Sequence, residues 1–102
     1  MPIPIVIGRF QFSSKAAATR YGGEVLNRGM LGSQLMGEDA EFADAVLKSR
    51  PDKLQELGDR GVVRYVRKMH QDNPTRCIFA ELDDGSFLDI SFWKLINHYP
   101  AG

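Results

Sequence analysis

The stretch "CIFAELDDGSFLDISFW", from Cys77 to Trp93, holds four acids, one thiol and four aromatic residues. Carboxylates gathered this closely could ligate a metal or do acid–base work. Asp83 and Asp84 have a simpler use, since "DDG" is turn chemistry. Glu81 and Asp89 remain, and a metal-dependent nuclease would place them on one face, with Asp89 the stronger candidate. No histidine or cysteine at ligand spacing joins them. A structural ion pair accounts for an acid inside an apolar strand equally well, because such a group needs a cation or an amide. Cys77 is a nucleophile only if His70 or His98 activates it, and neither lies in a local motif. A buried thiol behaving as a small apolar side chain is the favoured reading. One cysteine and two histidines make a poor zinc set. No catalytic residue, metal or cofactor is therefore expected, and the chain reads as a non-enzyme.

The basic residues carry more. Arg60, Arg64, Arg67, Lys68 and Arg76 cluster around the start of the C-terminal strands, opposed locally only by Asp59 and Asp72. Beside Tyr65, Phe79 and Phe87 they would form a strip that holds phosphates and stacks bases. The competing reading is that the arginines are the solvated side of a strand and the aromatics are core. "GDRG", Gly58 to Gly61, has the spacing of the backbone-clamping GXXG loop. That loop joins two helices, whereas a strand follows here, so a helix stop plus turn explains it.

These residues need a scaffold. The chain has 102 residues, enough for one domain with a modest core. It carries 13 basic and 13 acidic residues, so overall charge directs it neither to nucleic acid nor to membrane. A single cysteine excludes an internal disulfide and fits a reducing compartment. No apolar run spans a bilayer. "MPIPIVIGRFQF" lacks a signal-peptide pattern, and a cytoplasmic protein is expected.

Ile3, Ile5 and Ile7 predict a short strand, Gly8-Arg9 a turn, and "FQF" a second strand. Ser13 or Ser14 caps a helix with Ala18, Tyr21, Val25 and Leu26 on one face. Gly22-Gly23 weakens that helix and implies close packing or a bend. Leu35 anchors the connection. A second helix opens at Glu38 or Asp39, buries Phe42, Val46 and Leu47, and stops at Arg50-Pro51. "DKLQEL" is a helical turn. "VVRYVRKM", "RCIFAEL" and "SFLDISF" are strands, with "HQDNPT" a loop, and "FWKLINHY" is a terminal helical turn. Strands and helices are segregated. The predicted class is α+β, a small antiparallel sheet of a three-stranded C-terminal meander plus short N-terminal strands, with two main helices on one face.

The "DDG" hairpin has two candidate registers. A two-residue loop places Leu82 opposite Phe87. A three-residue loop with Gly85 left-handed places it opposite Ser86. The second gathers Ile78, Ala80, Leu82, Leu88, Ile90 and Phe92 on one apolar face, and is preferred. Cys77, Phe79, Glu81, Phe87, Asp89 and Ser91 then share the other face, where any function of the sheet belongs.

The ordered segments "FSSKAAATRYGGEVL", "LMGEDAEFADAVLKSRP", "ELGDRGV" and "CIFAELDDGSFLDISFWK" resemble the DCL family (defective chloroplasts and leaves). The resemblance runs from Phe12 to about Ile96. It is carried by Lys15, Asp39, Cys77, Asp84, Gly85, Asp89, Ser91 and Lys94, with Ser14, Tyr21, Leu26, Phe42, Leu47 and Pro51 also in place. Ile90 stands where the family has phenylalanine, and Arg50 where histidine is common. The Gly58 to Gly61 spacing is one residue longer than the family's. The resemblance implies a setting in RNA processing, as in plastid ribosomal RNA maturation, without assigning catalysis. Without a transit peptide, a bacterial or phage member is implied. The leading expectation is a module binding RNA or a ribonucleoprotein through Arg60, Arg64, Tyr65, Arg67, Lys68, Arg76 and Phe79. The alternative is a protein-interaction module docking on a transcription, nuclease or ribosome factor.

Overall fold

Alternation of Ile5 and Ile7 with exposed Val6 makes β1 (Ile5–Ile7), which turns through Gly8-Arg9 and returns as β2 (Phe10–Phe12). The computed structural model describes residues 4–69 and 75–92. The predicted loop at "HQDNPT" and the terminal turn after Phe92 lie outside them, apart from Thr75. The hairpin forms its own two-stranded sheet, where the sequence suggested strands added to the meander.

Helix α1 (Lys15–Asn27) starts where Ser14 Oγ accepts the Ala17 amide at 3.2 Å, satisfying one of the orphan donors of a first turn. Helix α2 (Glu38–Lys48) has three acids in its first turn and Lys48 in its last, as the helix dipole favours. Helix α3 (Pro51–Leu57) begins on the proline that ends α2. Strands β3 (Val62–Met69), β4 (Arg76–Leu82) and β5 (Phe87–Ile90) form an antiparallel sheet in the order β3-β4-β5. The class is α+β, as the segregation of strands and helices predicted. No described helix is long and apolar enough to cross a membrane.

The meander adopts the preferred register. Ala80 opposes Leu88 and Ile78 opposes Ile90. The Leu82 amide bonds the Ser86 carbonyl at 2.8 Å, and Gly85 sits at φ +86°. Ile78, Ala80, Leu82, Leu88, Ile90 and Phe92 are all buried on the inner face. Over that face lie α1, α2 and the hairpin, with Phe42 stacking edge-on against Phe10, Phe12 and Tyr21.

The connection between α1 and α2 adds something no pattern announced. Gly32 N bonds Arg67 O at 2.6 Å, Arg67 N bonds Ser33 O at 3.0 Å, and Leu35 N bonds Tyr65 O at 2.8 Å. The segment thus pairs antiparallel along the outer edge of β3, with a bridge between Gln34 and Val66. It occupies hydrogen-bonding groups that would otherwise form an open edge.

Candidate functional site

A bulge between Val62 and Arg64 reverses the facing of β3. Tyr65 and Arg67 therefore point to the core, and Arg64, Val66 and Lys68 to the open face. Arg67 is only 4% exposed. Its Nε donates to the Val25 carbonyl at 2.8 Å, Nη1 to Ser33 Oγ at 3.1 Å, and Nη2 to Asp39 at 3.1 Å. Arg76 donates to the carbonyls of Leu26 and Gly29 at 3.0 and 2.7 Å. Helix α1 has no basic residue in its own last turn. The two strand arginines supply the donors and positive charge that its C-terminal carbonyls require.

Arg60 closes α3 in the same way, donating to Leu57 O at 3.0 Å and also to Glu56 O, while Nη1 reaches Ser86 Oγ at 3.1 Å. Tyr65 is buried, and its hydroxyl donates to Asp44 at 2.8 Å. Burial and that carboxylate raise its pKa. Phe79 packs with Val66 and Cys77 in a small cluster beneath the open face. The predicted strip of seven is thus not one surface. Arg67 and Tyr65 belong to the core, Arg60 and Arg76 are engaged at helix ends, and only Arg64 and Lys68 remain as cations on the open face.

That face is a shallow groove of about 270 Å³, lined by Gln34, Arg64, Val66, Lys68, Glu81 and Phe87. Arg64 Nε lies 3.5 Å from Glu81, with both side chains partly exposed. The Lys68 ammonium sits 3.8 Å from the Phe87 ring centre and 5.5 Å from that of Phe79, a cation over two aromatic faces. Among the described residues no carboxylate pairs with Lys68. Met30, Leu31, Met36, Val63, Met69 and Phe87 are all well exposed. The apolar part of the groove is Val66 and the ring of Phe87. Among the described residues that line it there are two cations and one anion.

The other acids of the opening stretch have structural duties. Asp83 accepts the Gly61 amide at 3.0 Å, and Asp84 accepts the Ser86 amide at 3.0 Å. The Ser86 bonds hold the Asp84 carboxyl below the ordinary carboxylate range. Asp89 has the cation that an acid in an apolar strand needs, Lys53 of α3 at 3.1 Å. Lys94 lies outside the described residues. Burial pushes the Cys77 thiol up to about 11, with Asp89 adding to the effect. His70 and His98 also lie outside the described residues. Among those described, no group of three His, Cys, Asp or Glu side chains is arranged to hold a metal.

The residues that carried the resemblance are scattered. Lys15 opens α1, Asp39 holds Arg67 and lies 3.4 Å from Arg28, and the Ser91 carbonyl accepts Arg50 at 3.2 Å. Asp39, Asp89 and Ser91 secure contacts between elements, and the described set does not converge on one place. A second cleft of about 350 Å³ lies between the hairpin turn and α2. Its charges pair among themselves, Arg9 with Glu41 and Lys48 with Asp44.

A family model described as a protein of unknown function, DUF3223, matches residues 23–96. Among solved structures, the solution NMR structure of an uncharacterised protein from Rhodospirillum rubrum superposes with a TM-score of 0.78 and 28% identity, covering 98% of each chain. No curated protein matches. These findings correct the resemblance to the DCL family. The matching family carries the DUF3223 description, and the solved neighbour is uncharacterised. The setting in ribosomal RNA processing rested on that resemblance and loses its support.

Proposed function

The chain belongs to the DUF3223 family, whose description names no activity, and from its own surface we propose that it is a non-enzymatic protein-interaction module. A segment of a partner docks in the groove on the open face of the meander. The observation that carries this reading is an exposed Phe87 ring in a groove whose described lining presents few cations, with exposed methionines at either end of the neighbouring edge segment. Met30 is 80% exposed, Met36 69% and Phe87 44%. Unbranched methionines adapt to varied partner shapes, and an exposed aromatic ring is a common anchor.

A second reading keeps RNA as the ligand. Lys68 over Phe87, with Arg64 nearby, is chemistry that can hold a phosphate beside a stacked base. The withdrawal of Arg67, Arg76 and Arg60 into internal contacts makes it the weaker reading, because phosphate affinity grows with the number of cations presented.

The test is affinity capture from nuclease-treated lysate with the native chain and with Phe87→Asp. Phe87 is exposed, so the variant is expected to fold. A partner retained after nuclease digestion and lost with Phe87→Asp supports the reading. Partners that vanish on digestion, or that ignore the substitution, count against it.

A further inference from the structure

Resting on the docking reading above, we infer that the groove selects a partner segment carrying a carboxylate flanked by aliphatic side chains, and that Glu81 acts as a built-in competitor for that carboxylate.

Docking would cover Lys68. Its described partners are the ring faces of Phe79 and Phe87, at 5.5 and 3.8 Å. An ammonium withdrawn from water without an anion costs far more than ring faces return. Glu81 does not meet the need, because Arg64 holds it at 3.5 Å. A purely apolar partner would leave a desolvated cation in the interface. A partner that brings one acid closes the charge balance of a groove whose described residues hold two cations and one anion. Val66 and the ring of Phe87, the apolar part of the lining, then receive the aliphatic neighbours of that acid.

The pair also has a free-state consequence. Arg64 is 45% exposed at its side chain and Glu81 28%, so the bond between them is open to exchange. With Glu81 bound, Arg64 is partly neutralised and the groove attracts an acid less strongly. When a ligand carboxylate arrives, Lys68 and the Nη groups of Arg64 can share it, but the Glu81 carboxylate beside the Arg64 Nε draws on the same positive charge and repels the newcomer. Removing the Glu81 charge should therefore strengthen binding, the opposite of what deletion of a groove residue normally does.

The probes are three: a capped octapeptide of alternating Glu and Val, a capped octapeptide of alternating Lys and Val, and an eight-nucleotide oligouridylate. Each is titrated into the ¹⁵N-labelled full chain. The Glu–Val peptide is expected to shift amides of Gln34, Val66, Lys68, Glu81 and Phe87. Glu81→Gln is expected to tighten it about threefold, the scale of one partly exposed ion pair. Lys68→Gln is expected to weaken it about fivefold, on the scale of a rim charge. Unperturbed spectra elsewhere establish that both variants fold.

If the peptide binds at this face but Glu81→Gln leaves affinity unchanged or lower, the competitor role is overturned while docking stands. Equal binding of the Lys–Val peptide overturns the selection for an acid and likewise leaves docking intact. Binding of the oligouridylate alone overturns both. The same amides shifting with protein concentration and no ligand would make the occupant a second copy and overturn both. No shift with the Glu–Val peptide at millimolar concentration overturns the selection for an acid.

Discussion

Gly22 and Gly23 are neighbours inside one helix, and their replacement by alanine should act in opposite directions. Alanine in a helix interior gains about 1 kcal/mol over glycine through backbone entropy. At Gly23 nothing lies within 4 Å of an added Cβ, so the gain is retained. At Gly22 the added Cβ would stand 2.3 to 2.6 Å from three ring atoms of Phe92. That ring is 1% exposed and packs against Phe42, so it has little room to yield. Overpacking of this kind costs about 3 kcal/mol at the upper end of its usual range. The net effect at Gly22 is then a loss of about 2 kcal/mol, after the propensity gain of about 1 is counted. For a chain of this size one kcal/mol moves the midpoint by roughly 5 °C. Thermal melts followed by circular dichroism should show Gly23→Ala about 5 °C above the native chain and Gly22→Ala about 10 °C below it. In a Phe92→Leu background, Gly22→Ala should lose much of its penalty. A Gly22→Ala chain as stable as the native one would refute the contact with Phe92 as the reason for that glycine.

Arg67→Met should cost about 3 kcal/mol in urea unfolding, because Asp39 and the Val25 carbonyl lose a buried partner. Arg28, 3.4 Å from Asp39, keeps the loss at the lower end of that range. Cys77 should resist alkylation in the folded chain at pH 8 and react promptly in urea, since burial holds its thiol protonated. The same shift makes the fold alkali-sensitive. The folded state binds the Cys77 proton more tightly than the unfolded chain, so this stabilisation is complete below the ordinary thiol value of 9.0 and is lost as pH climbs toward 11. Tyr65 is shifted in the same direction and extends the loss to still higher pH. Urea midpoints should fall between pH 9 and 11, and less steeply in Cys77→Val. A flat profile would contradict the burial of the thiol.

Much of the fold was legible because its signals are local. Turn chemistry at Gly8-Arg9 and at Asp83-Asp84-Gly85 depends on a few adjacent residues, and so does the Ser14 cap. The register of β4 and β5 followed from one consideration, that only the three-residue loop puts six apolar side chains on a single face. Segregation of strands from helices gave the class. The open face of the meander was also named in advance through Glu81, Phe87 and Asp89. The membership of the site was not. Arg67 and Tyr65 were placed with Arg64 because all three lie in one strand, although alternation already sets Arg64 on the face opposite to theirs. Nothing in "VVRYVRKM" marks the bulge between Val62 and Arg64 that decides which of the two faces turns to the core.

Among the features that needed the tertiary structure, three share one cause. The C-terminal carbonyls of α1 recruit Arg67 and Arg76 from strands some forty to fifty positions away. The segment from Gly32 to Leu35 becomes sheet only because β3 offers an edge. Gly22 is confined by Phe92, while Gly23, with the same residue type and helix, meets open space. In each case the deciding partner is distant in sequence, and a hydrogen bond, an edge or a steric contact acts only once the chain has brought it close. Local chemistry set the turns, caps, strand faces and fold class. Long-range packing decided which charges are spent inside the molecule and which, Lys68 and Arg64, lie on the open face.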